Sequence, residues 1–157
     1  MSNENVVSIK IPKEDLNKVM QHLKAIDEIL KPYLVALTPE ERKTIPKMSD
    51  KTMPFVEKVM EYAELNPKFA PMFMNVPEMK IDLDAVTDLS PIQKLTDQLA
   101  GNLNDTAMLS GSKAYITSSA YYNTVKQGAK MNIPDAKAIY DDLSKRFEKS
   151  KASKEKS

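Results

Sequence analysis

Apolar positions along this chain recur at steps of three and four. Leu16, Val19, Met20, Leu23, Ile26 and Leu30 fall on one helical face. They predict a first helix over about 12–37, kinked near Pro32, where the backbone bond to the Glu28 carbonyl is lost. Residues 39–45 read as one short turn of helix. Phe55, Val56, Val59, Met60 and Ala63 mark a second long helix over about 50–66, followed by a short helical or irregular connector at 67–74. Met79, Leu83 and Val86 continue into Ile92, Leu95, Leu99 and Leu103, with Pro91 as a kink or restart. A last helix is expected over about 134–148. No alternating pattern of useful length argues for a strand, and no internal repeat is present.

Proline punctuates this pattern. Thr38-Pro39-Glu40-Glu41 reads as a capping box with proline at the first helical position, and Ser90-Pro91-Ile92-Gln93 has the same form. Asn66-Pro67 and Asn75-Val76-Pro77-Glu78 offer Asn caps. Pro12, Pro54 and Pro134 precede amphipathic runs, where the missing N–H removes a donor that would have lacked a partner anyway. An unbroken helix from 91 to 131 would run about 60 Å. A compact domain of this length has a radius of gyration near 15 Å, so a break is expected. Gly101-Asn102 to Asn104-Asp105 is the first choice and Ser110-Gly111-Ser112 the alternative.

The expected architecture is therefore all-α: a single-domain helical bundle of four to five main helices with proline-punctuated starts. Residues 1–11 form a flexible N-terminus, 12–148 the bundle, and 149–157 a disordered Lys/Ser-rich tail. Residues 144–157 carry six Lys or Arg against two Glu, a net +4; with +1 overall, residues 1–143 hold −3. Past Phe147 the tail has nothing apolar beyond alanine to bury. Clustered lysines can bind phosphates, yet the tail lacks interleaved aromatics, so a solubilising role is preferred to nucleic-acid binding.

Composition narrows the chemistry. The 157 residues include no Cys, no Trp, one His and three Gly. Thiol nucleophiles, disulfides, iron–sulfur clusters and thiolate zinc sites are excluded. The three scattered glycines leave no phosphate-cradling loop. The longest apolar run, Tyr33 to Leu37, falls far short of the roughly 18 residues that span a bilayer. Lacking a recognisable signal peptide as well, the chain reads as cytoplasmic, without a membrane role.

The remaining candidates each have a plain alternative. His22 lacks the Glu three residues before it that a Glu-x-x-His metal motif needs, since position 19 is Val. It reads as a surface or boundary residue. Glu57, Glu61 and Glu64 share a face, and Glu78/Asp82 and Asp84/Asp88 are i,i+4 pairs. Lying among lysines, they read as a solvated surface rather than a metal site. Ala107, Gly111, Ala114 and Ser118 form a face nearly bare of side chain, suited to close helix packing within the bundle or to subunit association. Tyr115, Tyr121 and Tyr122, with Tyr140 in the last helix, could line a pocket. Phe69, Met72, Phe73 and Met74 are apolar residues in the connector, placed as a lid or adaptable binding surface.

The stretch Leu37-Thr-Pro-Glu-Glu-Arg-Lys-Thr-Ile-Pro-Lys-Met-Ser-Asp-Lys51, followed by Phe55-Val-Glu-Lys-Val-Met-Glu-Tyr-Ala63 and by Ala114-Tyr115 to Tyr122-Asn123, resembles a family of small uncharacterised bacterial all-helical proteins. The resemblance covers about a third of the chain. It implies a helical single domain of bacterial source, and carries no activity, cofactor or catalytic residue. The expected function is a non-enzymatic protein-interaction module, binding a protein partner or itself. The alternative is a carrier or sensor for a small apolar ligand held near Phe69, Met72, Phe73, Met74, Tyr115 and Tyr122. No catalytic residue, metal or cofactor is assigned.

Overall fold

A computed structural model describes residues 8–154. The described residues are all-α, with no strand among them. Five α-helices are present: α1 (Lys13–Leu30), α2 (Pro39–Thr44), α3 (Met53–Leu65), α4 (Val76–Lys130) and α5 (Ala136–Lys154), with one 3₁₀ turn at Pro67–Phe69. The chain divides into two units, Ile9–Gln98 and a second built from Leu99 onward.

Most of the proline expectations have a direct physical counterpart. At α2 the Thr38 hydroxyl accepts from the Glu41 N–H at 3.3 Å, and Glu41 Oε2 accepts from the Thr38 N–H at 2.7 Å. Both arms of the capping box are made. Asn75 Oδ1 accepts from the Glu78 N–H at 3.1 Å at the start of α4. Pro54 sits in the first turn of α3, where no donor is missed. Asn66 precedes the 3₁₀ turn without a side-chain cap.

Several boundaries differ from the pattern-based expectation. Pro32 ends α1 rather than kinking it: helix stops at Leu30, whose carbonyl accepts from both Tyr33 and Leu34 N–H. Ser90-Pro91 starts nothing, because α4 runs straight through it with Pro91 inside. The expected break near Gly101 or Gly111 is absent as well. Neither glycine takes a positive φ, and Leu99, Ala100 and Leu103 are strong helix formers around a residue that a helix interior tolerates for about 1 kcal/mol. The break was inferred from the size of a single compact body, whereas the boundary between the two units falls inside this helix.

The chain does turn sharply at the end of α4, where Asn132 and Asp135 have φ of 53° and 68°. The Ile133 N–H donates to the Gly128 carbonyl at 3.0 Å, and the Asn132 N–H to the Ala129 carbonyl at 3.3 Å. This is a Schellman cap with Asn in the left-handed position and proline two residues on. Pro134 therefore belongs to the turn, and α5 begins later than expected, at Ala136. At its other end α5 is helical through Lys154, across 149–154, where composition assigns a tail; residues 155–157 lie outside the described residues, as do 1–7 of the N-terminal segment.

Few side chains are enclosed. In the first unit Met60 of α3 is buried, and in the second Val125, Gly128 and Ala136 are. No residue of α1 is buried.

Candidate functional site

In the second unit the turn sends α5 back along α4. A Cβ placed on Gly128 would lie 3.1 Å from the Ala136 Cβ. Two turns further from the corner, the Tyr122 and Tyr140 rings meet with centroids 5.6 Å apart and planes tilted by 30°. Such a tilted pair is a favourable aromatic arrangement. Beyond it an open hollow of about 1080 Å³ lies along the two helices. Ala114, Tyr115, Ser118, Tyr121 and Tyr122 line it from α4, and Leu143 and Arg146 from α5. The charged side chains among its lining residues are Lys113 and Arg146, both cationic. Arg146 donates from Nε to Asp142 Oδ2 at 3.1 Å, an exposed pair one helical turn apart.

The first unit holds a smaller hollow of about 440 Å³. Val59, Tyr62 and Ala63 of α3, with Asn66 just past its end, line it together with the connector residues Phe69, Ala70, Pro71 and Met74. Phe69 and Met74 thus line a recess with α3. Met72 and Phe73 do not: they are 107% and 90% exposed. Four of the six ligand candidates thus fall into two separate recesses, one in each unit: Phe69 and Met74 in the smaller, Tyr115 and Tyr122 in the larger.

The small-residue face is split too. Ala114 and Ser118 line the larger hollow. Gly111 and Gly101 have nothing within 4 Å of where a Cβ would stand, and Ala107 is exposed. The close intramolecular helix packing expected along Ala107, Gly111, Ala114 and Ser118 is not made at its centre. Positions three and four apart align on one face, but alignment alone does not supply an opposing helix.

His22 is exposed. Glu61 pairs with Lys58 at 2.7 Å, and Glu64 reaches Lys80 at 3.7 Å, linking α3 to α4. Among the described residues no group of three or more His, Asp and Glu is placed to hold a metal ion. One carboxyl is electrostatically distinct: hydrogen bonds from the Thr38 backbone N–H, and then from its hydroxyl, hold Glu41 below the ordinary glutamate pKa. That is a capping function, on an exposed surface.

Reading the sequence missed Leu143 and Arg146 in one recess, and Val59, Tyr62 and Asn66 in the other. No signal in the local pattern marks the first pair, which come from a different helix more than twenty residues away. No helix among the described residues is long and apolar enough to cross a membrane. Comparison of the chain with protein-family models, with curated proteins and with solved structures finds no match.

Proposed function

We propose that this protein is a non-enzymatic interaction module, acting in the cytoplasm through helix faces that its own fold leaves uncovered. The observation that carries this reading is α1. Its apolar stripe has regular helical spacing, yet Leu16, Val19, Leu23 and Ile26 are 42–50% exposed and no residue of the helix is buried. An isolated amphipathic helix of this length is marginal in water and gains most of its stability by packing its apolar face. Contiguous exposed apolar surface on a soluble protein marks an interaction site. A protein surface laid on α1 would supply what the described residues do not.

Hydrogen exchange across a dilution series tests this. The α1 amides should exchange fast in dilute protein and slowly once native mass spectrometry detects an associated species. A chain that stays monomeric, with slowly exchanging α1 amides at every concentration, would overturn the reading.

A second reading rests on the hollow between α4 and α5: a carrier for a small, mainly apolar ligand. Its volume is ample for a drug-sized molecule, and its tyrosines offer apolar faces with hydroxyl tips. A small molecule retained in native mass spectra, and lost in Tyr122→Ala, would favour it. Neither reading requires a cofactor.

A further inference from the structure

We infer that the hollow along α4 and α5 takes a small amphiphile with one anionic head, of the medium-chain carboxylate class, its tail toward the Tyr122–Tyr140 corner. This rests on the carrier reading above and names the ligand class. The whole site belongs to the second unit, since its lining runs from Lys113 to Asn123 and is completed by Leu143 and Arg146.

The hollow has a polarity along its length. Because α5 returns along α4, residues descending from 122 and residues rising from 140 both lead away from the corner. At a helical rise of about 1.5 Å per residue, Arg146 stands about 9 Å beyond Tyr140, and Lys113 about 14 Å beyond Tyr122. Both cations are therefore at the end remote from the corner, and both are exposed. Nearer the corner Ser119, Tyr122 and Leu143 are half-buried. A tail laid toward Leu143 and Tyr122 gains apolar cover, while a head at the far end keeps its water and gains two cations. A charge held this way is never desolvated alone.

The wall between these ends suits an apolar tail. The Thr117 hydroxyl donates to the Lys113 carbonyl at 3.0 Å, and the Ser118 hydroxyl to the Ala114 carbonyl at 2.7 Å. Both donors are used within the helix, so methylene groups can lie against them without stranding an O–H. Tyr115, Tyr121 and Tyr122 add flat apolar ring faces.

Charge decides the sign of the head. Lys113 and Arg146 are the charged residues among those lining the hollow; Asp141 and Asp142 of α5 are not among them. From 106 to 130 α4 carries three lysines and no Asp or Glu, so its wall repels no anion. Arg146 commits its Nε–H to Asp142 Oδ2 at 3.1 Å. The outer N–H groups of the guanidinium fork remain for a carboxylate. A cationic amphiphile would instead meet two like charges.

Isothermal titration calorimetry on the full chain separates head from tail. Dodecanoate, kept below the concentration at which it aggregates, should bind about tenfold tighter than dodecanol, the ratio one charge-assisted hydrogen bond supplies. Dodecylammonium should bind no better than the alcohol. Combining Lys113→Gln with Arg146→Gln, both at exposed positions, should leave far-ultraviolet circular dichroism unchanged and bring dodecanoate down to the affinity of dodecanol. Amide NMR shifts on binding should be largest over 115–123 and at Leu143. Equal affinities for dodecanoate and dodecanol, with shifts at the hollow, would overturn the anionic head while leaving the carrier reading intact. Full dodecanoate affinity in the double variant would overturn it too. Shifts concentrated in α1 would put the amphiphile on that exposed stripe and refute the site. Binding of neither compound would refute the inference, and a neutral molecule retained in native mass spectra and lost in Tyr122→Ala would then keep the carrier reading standing.

Discussion

Gly128 stands where α4 and α5 come closest, and replacing it by alanine sets two effects of known size against each other. No glycine in the chain has a positive φ, so alanine meets no backbone penalty. In a helix interior the exchange gains up to about 1 kcal/mol of propensity, and less in the last turn, where Gly128 lies. Against this, the new Cβ stands 3.1 Å from the Ala136 Cβ and 3.7 Å from Ile133 Cδ1. Carbon atoms prefer about 3.5–4.0 Å. Ile133 can rotate away, but the Ala136 Cβ is fixed to the first turn of α5 and moves only with its backbone. Overpacking of this kind costs roughly 1–3 kcal/mol. The strain should win, leaving Gly128→Ala less stable by about 1 kcal/mol. Removing the opposing methyl should reverse the sign: in an Ala136→Gly background, Gly128→Ala should stabilise by a few tenths to about 1 kcal/mol. The coupling between the sites should then be about 1–2 kcal/mol, within the range for residues in direct contact. Urea denaturation followed by far-ultraviolet circular dichroism measures all four corners of the cycle. If Gly128→Ala has the same effect in both backgrounds, the α4–α5 corner yields freely and the steric argument is wrong.

Three further outcomes follow from the caps and the proline. Asn132→Val should destabilise by about 1–2 kcal/mol, because a β-branched residue resists the left-handed conformation, whereas Asn132→Gly should be neutral or better; equal costs for both would mean the Schellman turn is not held in solution. Pro91→Ala restores an N–H for the Thr87 carbonyl and should stabilise by up to about 3 kcal/mol in thermal or urea unfolding. No gain would indicate that a helix begins there after all. The Glu41 carboxyl should titrate below a free glutamate by NMR, and Thr38→Val, which keeps the N–H but loses the hydroxyl, should move it part of the way back. Because its folded pKa is lowered, its contribution to stability is complete above the unfolded value and is lost as pH falls through the folded one. A Glu41 midpoint at the free-peptide value would show the box open.

What could be read from the residues was local. The step of three and four placed α3 and the start of α1 within a few residues but carried α1 well past its end at Leu30, and Thr38 and Asn75 announced their helices because a cap is a short-range arrangement of side chain and backbone. Ser90-Pro91-Ile92-Gln93 carries the same letters and misleads: a proline lacking one bond can ride inside a helix that strong formers sustain on both sides. Asn132 was legible as a stop only in retrospect, since Asn also occurs inside α4 at positions 102, 104 and 123. The larger recess was half visible. Tyr115 and Tyr122 share its wall on one helix, but Leu143 and Arg146 arrive through a corner set by Asn132 and Asp135, and no periodicity reports a corner.

The ten methionines, finally, form a graded set of chemical reporters. Met72, Met131 and Met108 are 107%, 73% and 64% exposed, Met20 is 54%, and Met60 is 7%. Peroxide converts a methionine thioether to a polar sulfoxide at a rate that follows its access to solvent. Oxidation should therefore begin in the connector at Met72, reach Met131 just past α4 and Met108 within it next, and spare Met60 of α3 until last. The same order describes how the molecule would age under oxidative stress. Its outward apolar surface would turn polar while the buried Met60 still held α3 in place, so the capacity to bind would fade before the fold did.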